Sequence, residues 1–251
     1  MSTSRPFVLT IAGFDPSGGA GVLADIKTFE QHQVHGFAIN TGNTIQTENV
    51  FYEMQWTDLD FVLRSMGVLF ENYTIKAVKI GVVPSLDYLK EIVYAIKRLS
   101  PKTKIVWDTI LKSTTEFSFL NIENQVLLTA ILNKIDLITP NYNEMKTIFP
   151  NFSPFLWRGV GGEDTCAVLL KGGHHPEEIG VDYLYTKNEI VRLSSKETLL
   201  SGKHGSGCVL SSAITANIAL GQDMKTACAN AKDYIETFLF SNLTKLGYHY
   251  V

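Results

Sequence analysis

Apolar positions along the chain fall into two alternating kinds of run: short continuous blocks, and longer stretches in which they recur at helical spacing. Phe7-Val8-Leu9-Thr10-Ile11-Ala12-Gly13 is a block ending at glycine, the pattern of a strand covered on both faces of a parallel sheet. Residues 36–41, 75–83, 104–108, 135–139 and 166–174 read as further strands of this kind. Between them, Val22, Ile26 and Phe29 share one helical face. Leu59, Val62, Leu63, Met66 and Leu69 share another, and Leu86, Leu89, Ile92, Val93 and Ile96 a third. Asp58 and Ser85 stand where N-caps belong. Residues 124–133 and 224–240 complete the helices, the last with Ala227, Ala231, Ile235 and Phe238 inward.

Residues 183–185 and 189–193 alternate apolar and polar, as an antiparallel hairpin at a sheet edge does. The order of these elements predicts an α/β, doubly wound, mostly parallel central sheet with helices on both faces and a small antiparallel edge hairpin. One domain over residues 1–251 accommodates it.

Composition narrows the function. At 251 residues and 45% hydrophobic the chain can bury a large core, and a net charge of -3 without a lysine or arginine run leaves no footprint for nucleic acid. No apolar run approaches the roughly 20 residues of a membrane span. Cys166, Cys208 and Cys228 are odd in number and lack CxxC spacing, against disulfides and structural zinc and in keeping with a cytoplasmic location. A small polar substrate is the expected partner.

The candidate chemistry lies after the strands, where open parallel sheets bind ligands. The first strand runs into Phe14-Asp15-Pro16-Ser17-Gly18-Gly19-Ala20-Gly21, which is neither a GxGxxG fingerprint nor a Walker loop but lets backbone approach a flat ligand. Residues 42–50 read as a polar ligand loop. Asp108 is an acid at a strand's carboxyl edge, Asn141 and Glu144 open a short helix, and Lys171 precedes two glycines. Lys203-His204-Gly205-Ser206-Gly207-Cys208 opens a small-residue helix, an anion-binding helix start with a nucleophile or base built in.

Five segments in order, TIAGFDPSGGAGVLADIKTF, IGV, LITPNYNE, LLKGGH and HGSGCVLSSAITANIALG, resemble the hydroxymethylpyrimidine/phosphomethylpyrimidine kinases of thiamine biosynthesis, members of the ribokinase-like superfamily. The likeness spans residues 7–235, and some pyridoxal kinases share the glycine-cysteine segment. It implies a cytoplasmic, dimeric kinase using ATP and Mg2+. Gly13, Asp25, Gln46 and Val82 then match the pyrimidine pocket, with Asp25 and Gln46 reading the ring by hydrogen bonds. Asp108, Asn141, Glu144 and Lys171 match the nucleotide side, Glu144 acting on magnesium through water. Gly205, Ser206 and Gly207 match the anion hole, and Cys208, its thiol pKa lowered by the helix start, is the expected general base.

The chain departs from the family pattern twice. Residues 109–114 are about two residues short and lack a glycine, and residues 149–162 are too rich in proline and glycine for the usual helix. Three functions compete: the pyrimidine kinase, acting on the alcohol and its monophosphate; a pyridoxal or pyridoxine kinase; and a pyrimidine-binding or regulatory protein without efficient phosphoryl transfer.

Overall fold

The computed structural model describes residues 4–112, 117–150, 166–174, 178–195 and 202–249. In chain order these form β1 (Phe7–Phe14), α1 (Gly21–Gln31), β2 (His35–Gln46), β3 (Phe51–Trp56), α2 (Leu59–Asn72), β4 (Ile75–Ile80) and α3 (Leu86–Leu99). Then follow β5 (Lys104–Trp107), α4 (Gln125–Leu132), β6 (Leu137–Ile138), α5 (Tyr142–Ile148), β7 (Ala167–Leu170), β8 (Asp182–Tyr185), β9 (Ile190–Leu193), α6 (Ser206–Ala219) and α7 (Met224–Leu239).

The strands make one sheet in the order β3-β2-β1-β4-β5-β6-β7-β8-β9. Neighbours from β2 through β7 are parallel, while β3 and the β8–β9 pair run antiparallel at opposite edges. This is the doubly wound α/β architecture expected, with the predicted edge hairpin at β8–β9. The order reverses around β1, so the crevice beyond the ends of β1 and β4 is the switch point where such sheets bind ligands.

Strand parity sorts the core into two layers. Leu9, Ile11, Val78, Ile80, Ile105 and Trp107 pack with α2, α3, α4 and α5. The alternate residues Val8, Ala77 and Val106 face α1, α6 and α7. Leu89, Ile92, Val93 and Ile96 of α3 are wholly buried, each contributing about 1.5–3 kcal/mol of apolar burial. Asp58 and Ser85 cap α2 and α3 as predicted, through Phe61 N and Tyr88 N.

Two sequence expectations are corrected here. Residues 42–46 are not loop: β2 continues to Gln46, because β3 pairs antiparallel with this polar half and satisfies its backbone. Neither polarity nor periodicity marked β3 in advance. Residues 166–174 are not one strand either, since β7 stops at Leu170 and a single 3-10 turn, Gly172–His174, follows. There Gly172 N donates to the buried Asp182 carboxylate at 2.7 Å, turning the chain away from the sheet. The proline- and glycine-rich departure falls mostly on residues 151–165, outside the described residues, as do Ser113 and Thr114 of the other departure.

Candidate active site

A cavity of about 220 Å³ opens at the switch point. Its floor is the end of β1 and the β4 exit, Gly13 and Gly81-Val82; its walls are Thr44 and Gln46 from β2, Asp108 after β5, Asn141 and Glu144 at α5, and the start of α6. All the site residues that the family likeness implied line it except Asp25.

Two glycines make the closest approaches. Gly205, the N-cap of α6, has φ +73°, and a Cβ there would stand 1.9 Å from the Gly19 carbonyl oxygen. Gly21, at φ +59°, leaves only 2.1 Å between such a Cβ and the Gly13 carbonyl oxygen. The α6 start is thereby pressed against the loop after β1. It carries no side-chain cap, and the first-turn N–H groups of Gly207 and Cys208 have no helical carbonyl behind them. Such a helix start attracts an anion.

Asp15 and His204 join the two loops. Asp15 Oδ2 accepts from Ala20 N at 2.9 Å and from Ser17 Oγ at 2.8 Å, and His204 Nε2 lies 2.8 Å from the same oxygen. Burial opposes ionisation of Asp15, but the hydrogen bonds of His204 and Ser17 outweigh it and hold the carboxyl below its ordinary value. Lys203 donates to the carbonyls of Asn242 and Thr244, and His204 N to Lys245 O at 2.9 Å, so the C-terminal segment braces the α6 entry.

On the other wall, Asn141 and Glu144 form a capping box: Asn141 Oδ1 accepts from Glu144 N at 2.9 Å and Glu144 Oε2 from Asn141 N at 2.8 Å. Burial raises the Glu144 carboxyl pKa against the pull of Lys171. Lys171 Nζ lies 3.0 Å from Asp108 Oδ1. Burial disfavours the charge of Asp108, yet Lys171 and Lys79 together keep its pKa below the ordinary value. Thr139 donates to Asp108 at 3.0 Å, and the Ser211 hydroxyl lies 3.2 Å from its other oxygen, with the Gly207 and Cys208 carbonyls each 3.0 Å away as competing acceptors.

Asp25 is the exception to the expected pocket. It is wholly buried and receives Thr10 Oγ1 at 2.6 Å, Ser212 Oγ at 2.6 Å, and Lys79 Nζ at 2.8 and 2.9 Å on its two oxygens. Every acceptor site is taken, so it has none left for a substrate ring. Lys79, not Asp25, faces the cavity.

Cys208 differs from expectation in its charge state. It is 7% exposed, and burial pushes its thiol up to about 11 against the favourable field of Lys79. The helix start does not overcome desolvation, and the group is a thiol at neutral pH in this state.

The sequence reading missed Lys79 and Phe119, both in the cavity wall. A lysine inside the apolar run of β4 was the one available signal, since such a residue must find a buried partner. Phe119 arrives because Phe119 N and Leu120 N both donate to Leu111 O, which holds it beside the β5 exit. A second cavity of about 220 Å³ shares Asn141, Lys171, Ser206 and Gly207 with the first and extends to Asp182 and Lys232, which pair at 2.9 Å.

Among the described residues no group of three or more histidine, cysteine, aspartate or glutamate side chains is placed to hold a metal ion. No helix among them is long and apolar enough to cross a membrane.

Comparison with known proteins gives a consistent picture. The family described as phosphomethylpyrimidine kinase matches residues 15–250. The hydroxymethylpyrimidine/phosphomethylpyrimidine kinase of Aquifex aeolicus is 34% identical over 253 residues, 96% of this chain and 97% of that protein. The crystal structure of phosphomethylpyrimidine kinase from Clostridium difficile 630 superposes with a TM-score of 0.76 at 32% identity, covering 92% of this chain and 98% of that one. Pyridoxal kinase of Bacillus subtilis, solved as an ADP complex, gives 0.79 at 26% identity, covering 96% and 94%.

Proposed function

This chain belongs to the phosphomethylpyrimidine kinase family and is a phosphotransferase, and from that premise we propose that it phosphorylates 4-amino-5-hydroxymethyl-2-methylpyrimidine and then its monophosphate, with ATP as donor. The observation that carries this reading is the convergence of an uncapped helix start, Cys208 and the Asp108–Lys171 pair on one cavity at the switch point.

The pyrimidine ring lies over Gly13 and against Val82, with the Gln46 amide as its hydrogen-bonding reader. The nucleotide occupies the second cavity, its phosphates reaching Lys171, Ser206 and Gly207 on the shared wall. First-turn N–H groups of α6 stabilise the charge that spreads over the transferring group, the main contribution a protein makes to this reaction.

Cys208 takes the acceptor proton as its thiolate. With the thiol pushed up to about 11, the reactive form is a minor fraction at neutral pH, and turnover is expected to follow that fraction. Glu144 alone is too little for a dry metal cage but suits Mg2+, which keeps most of its water and would reach this carboxylate through it while taking phosphate oxygens directly. Bound there, the ion would neutralise phosphate charge and favour ionised Glu144 over the protonated form that burial promotes. Residues 1–251 act in this reading as one catalytic unit that pairs as a homodimer in the cytoplasm.

A pyridoxal or pyridoxine kinase is the second reading, favoured by the full-length likeness to the Bacillus subtilis enzyme. Steady-state ATP consumption with hydroxymethylpyrimidine, its phosphate and pyridoxal side by side separates the two. Turnover of pyridoxal alone would overturn the first. Thermal stabilisation by the pyrimidine without any ATP turnover would mark a binding protein instead.

A further inference from the structure

The polar groups beneath the cavity form two matching sets. In one, Lys171, Thr139 and Ser211 lie within hydrogen-bond distance of Asp108. In the other, Asp25 receives Lys79, Thr10 and Ser212. Each contains an aspartate, a lysine, a threonine and one of two consecutive serines of α6. Those serines lie one turn beyond Cys208, which lines the same cavity as both lysines.

The first set belongs to the nucleotide side. For the second, register explains the assembly: Thr10 pairs with Lys79 across β1 and β4, both on the strand faces turned toward α1 and α6, where Asp25 and Ser212 wait. The Asp25 carboxylate is saturated, but the Lys79 ammonium has three N–H donors and directs two bonds at Asp25. Lys79 is wholly buried, and among the described residues its third N–H has no hydrogen-bond partner. Gly81 keeps the space beside it open, since a Cβ there would lie 3.6 Å from Nζ.

We propose that Lys79, oriented by Asp25, is the acceptor-side cation of this site, stabilising negative charge on Cys208 and on the acceptor oxygen as its proton leaves. The inference rests on the kinase reading and on Cys208 as base. In the step, the acceptor O–H bond breaks and its proton passes to the Cys208 thiolate. The acceptor oxygen bonds to the γ-phosphorus as the bond from that phosphorus to the β–γ bridging oxygen breaks. ADP leaves, and the thiol returns its proton to solvent.

The charges around Cys208 come from four elements: Lys79 at the end of β4, Asp25 on α1, Asp108 after β5 and Lys171 after β7. Lys79 favours the thiolate, and Asp108 and Asp25 oppose it.

Replacing Lys79 alone would strand a buried carboxylate, so the test uses the charge-neutral pair Lys79→Met/Asp25→Asn. Its readout is the rate of Cys208 alkylation by iodoacetamide at pH 9, followed by peptide mass spectrometry, together with kcat and the KM for ATP. Loss of the cation slows alkylation and kcat by at least about tenfold, with KM for ATP within about twofold of wild type. An unchanged alkylation rate overturns the proposal, whatever happens to turnover. Asp25→Asn alone works in the same direction, because it takes away the carboxylate that orients Lys79 and holds its charge against burial: alkylation must slow, and an equal or faster rate overturns the proposal even if the double variant does not fold. Wild-type protein that phosphorylates none of the three acceptors refutes the kinase reading itself, a result distinct from either variant's.

Discussion

Lys171 Nζ stands 3.0 Å from Asp108 Oδ1, tying the exits of β7 and β5 together beneath the shared wall of the two cavities. Asp108 is wholly buried, so removing Lys171 leaves a charge that solvent cannot reach. Lys171→Ala is expected to cost about 3–5 kcal/mol in urea unfolding and to raise KM for ATP, whereas Lys171→Met/Asp108→Asn recovers most of the stability without recovering the KM. Equal stability of the two variants would show that the pair is not electrostatically coupled. The pH dependence follows from the lowered Asp108 pKa. Its stabilisation is present above the ordinary aspartate value of about 3.9 and is lost as pH falls through the lower folded value.

Cys208 sets a second expectation. Because burial places its thiol near 11, a thiolate base makes kcat climb with pH by about tenfold per unit through the neutral and mildly alkaline range. Cys208→Ala should lower kcat by about 10²–10⁴ and flatten that slope. A pH–rate profile of both proteins decides the matter: retention of wild-type turnover by the alanine variant removes Cys208 from the mechanism.

Gly205 admits no side chain. Gly205→Ala would force a Cβ to within 1.9 Å of Gly19 O at a left-handed backbone angle. The α6 entry must then part from the loop after β1, and the anion hole opens with it. We expect kcat/KM to fall at least about 100-fold while the far-UV spectrum is kept, since one oxyanion-stabilising donor alone is worth that much. Gly202→Ala, where a Cβ meets nothing within 4 Å, serves as the control and should behave as wild type.

The C-terminal segment carries a pH response of its own. His249 packs against Phe238 and Tyr234, with the Tyr234 hydroxyl 2.7 Å from its Nδ1. Burial, aided by the charges of Lys27 and His32, lowers its pKa to about 4. The unfolded chain therefore binds a proton near pH 6.5 that the folded protein refuses, and stability falls as pH drops from about 6.5 toward 4. Allowing for its partial exposure, the loss is about 2 kcal/mol. His249→Gln should reduce the difference in Tm between pH 7 and pH 5; an unaltered difference assigns the response to other groups.

How far the site was legible depended on the kind of residue. Gly13, Val82, Asn141, Lys171 and the Gly205–Cys208 run stood at the ends of readable strands and helices, and the sheet carries such ends to one edge. Asp25 was misplaced because helical position tells which turn a carboxylate occupies and not which groups will neutralise it. Its partners lie 15, 54 and 187 residues away in sequence. The residues of β3 went unread for a related reason: Tyr52, Glu53 and Gln55 are exposed, so no buried face stamps an alternation on them, and their register comes from pairing with the polar half of β2.

Apolar periodicity, cap residues and glycine placement are local, and they were enough to determine the α/β order, the parallel sheet, the capped helices and the cavity edge at the start of α6. The Lys203–Cys208 motif is recognisable from sequence as an anion-binding helix start. Charge states and polar partnerships were decided only by the tertiary structure. Burial sets the desolvation of Cys208, and the register of β1 against β4 places Lys79 beside Asp25. Both depend on distances between segments far apart in the chain, which no local pattern encodes.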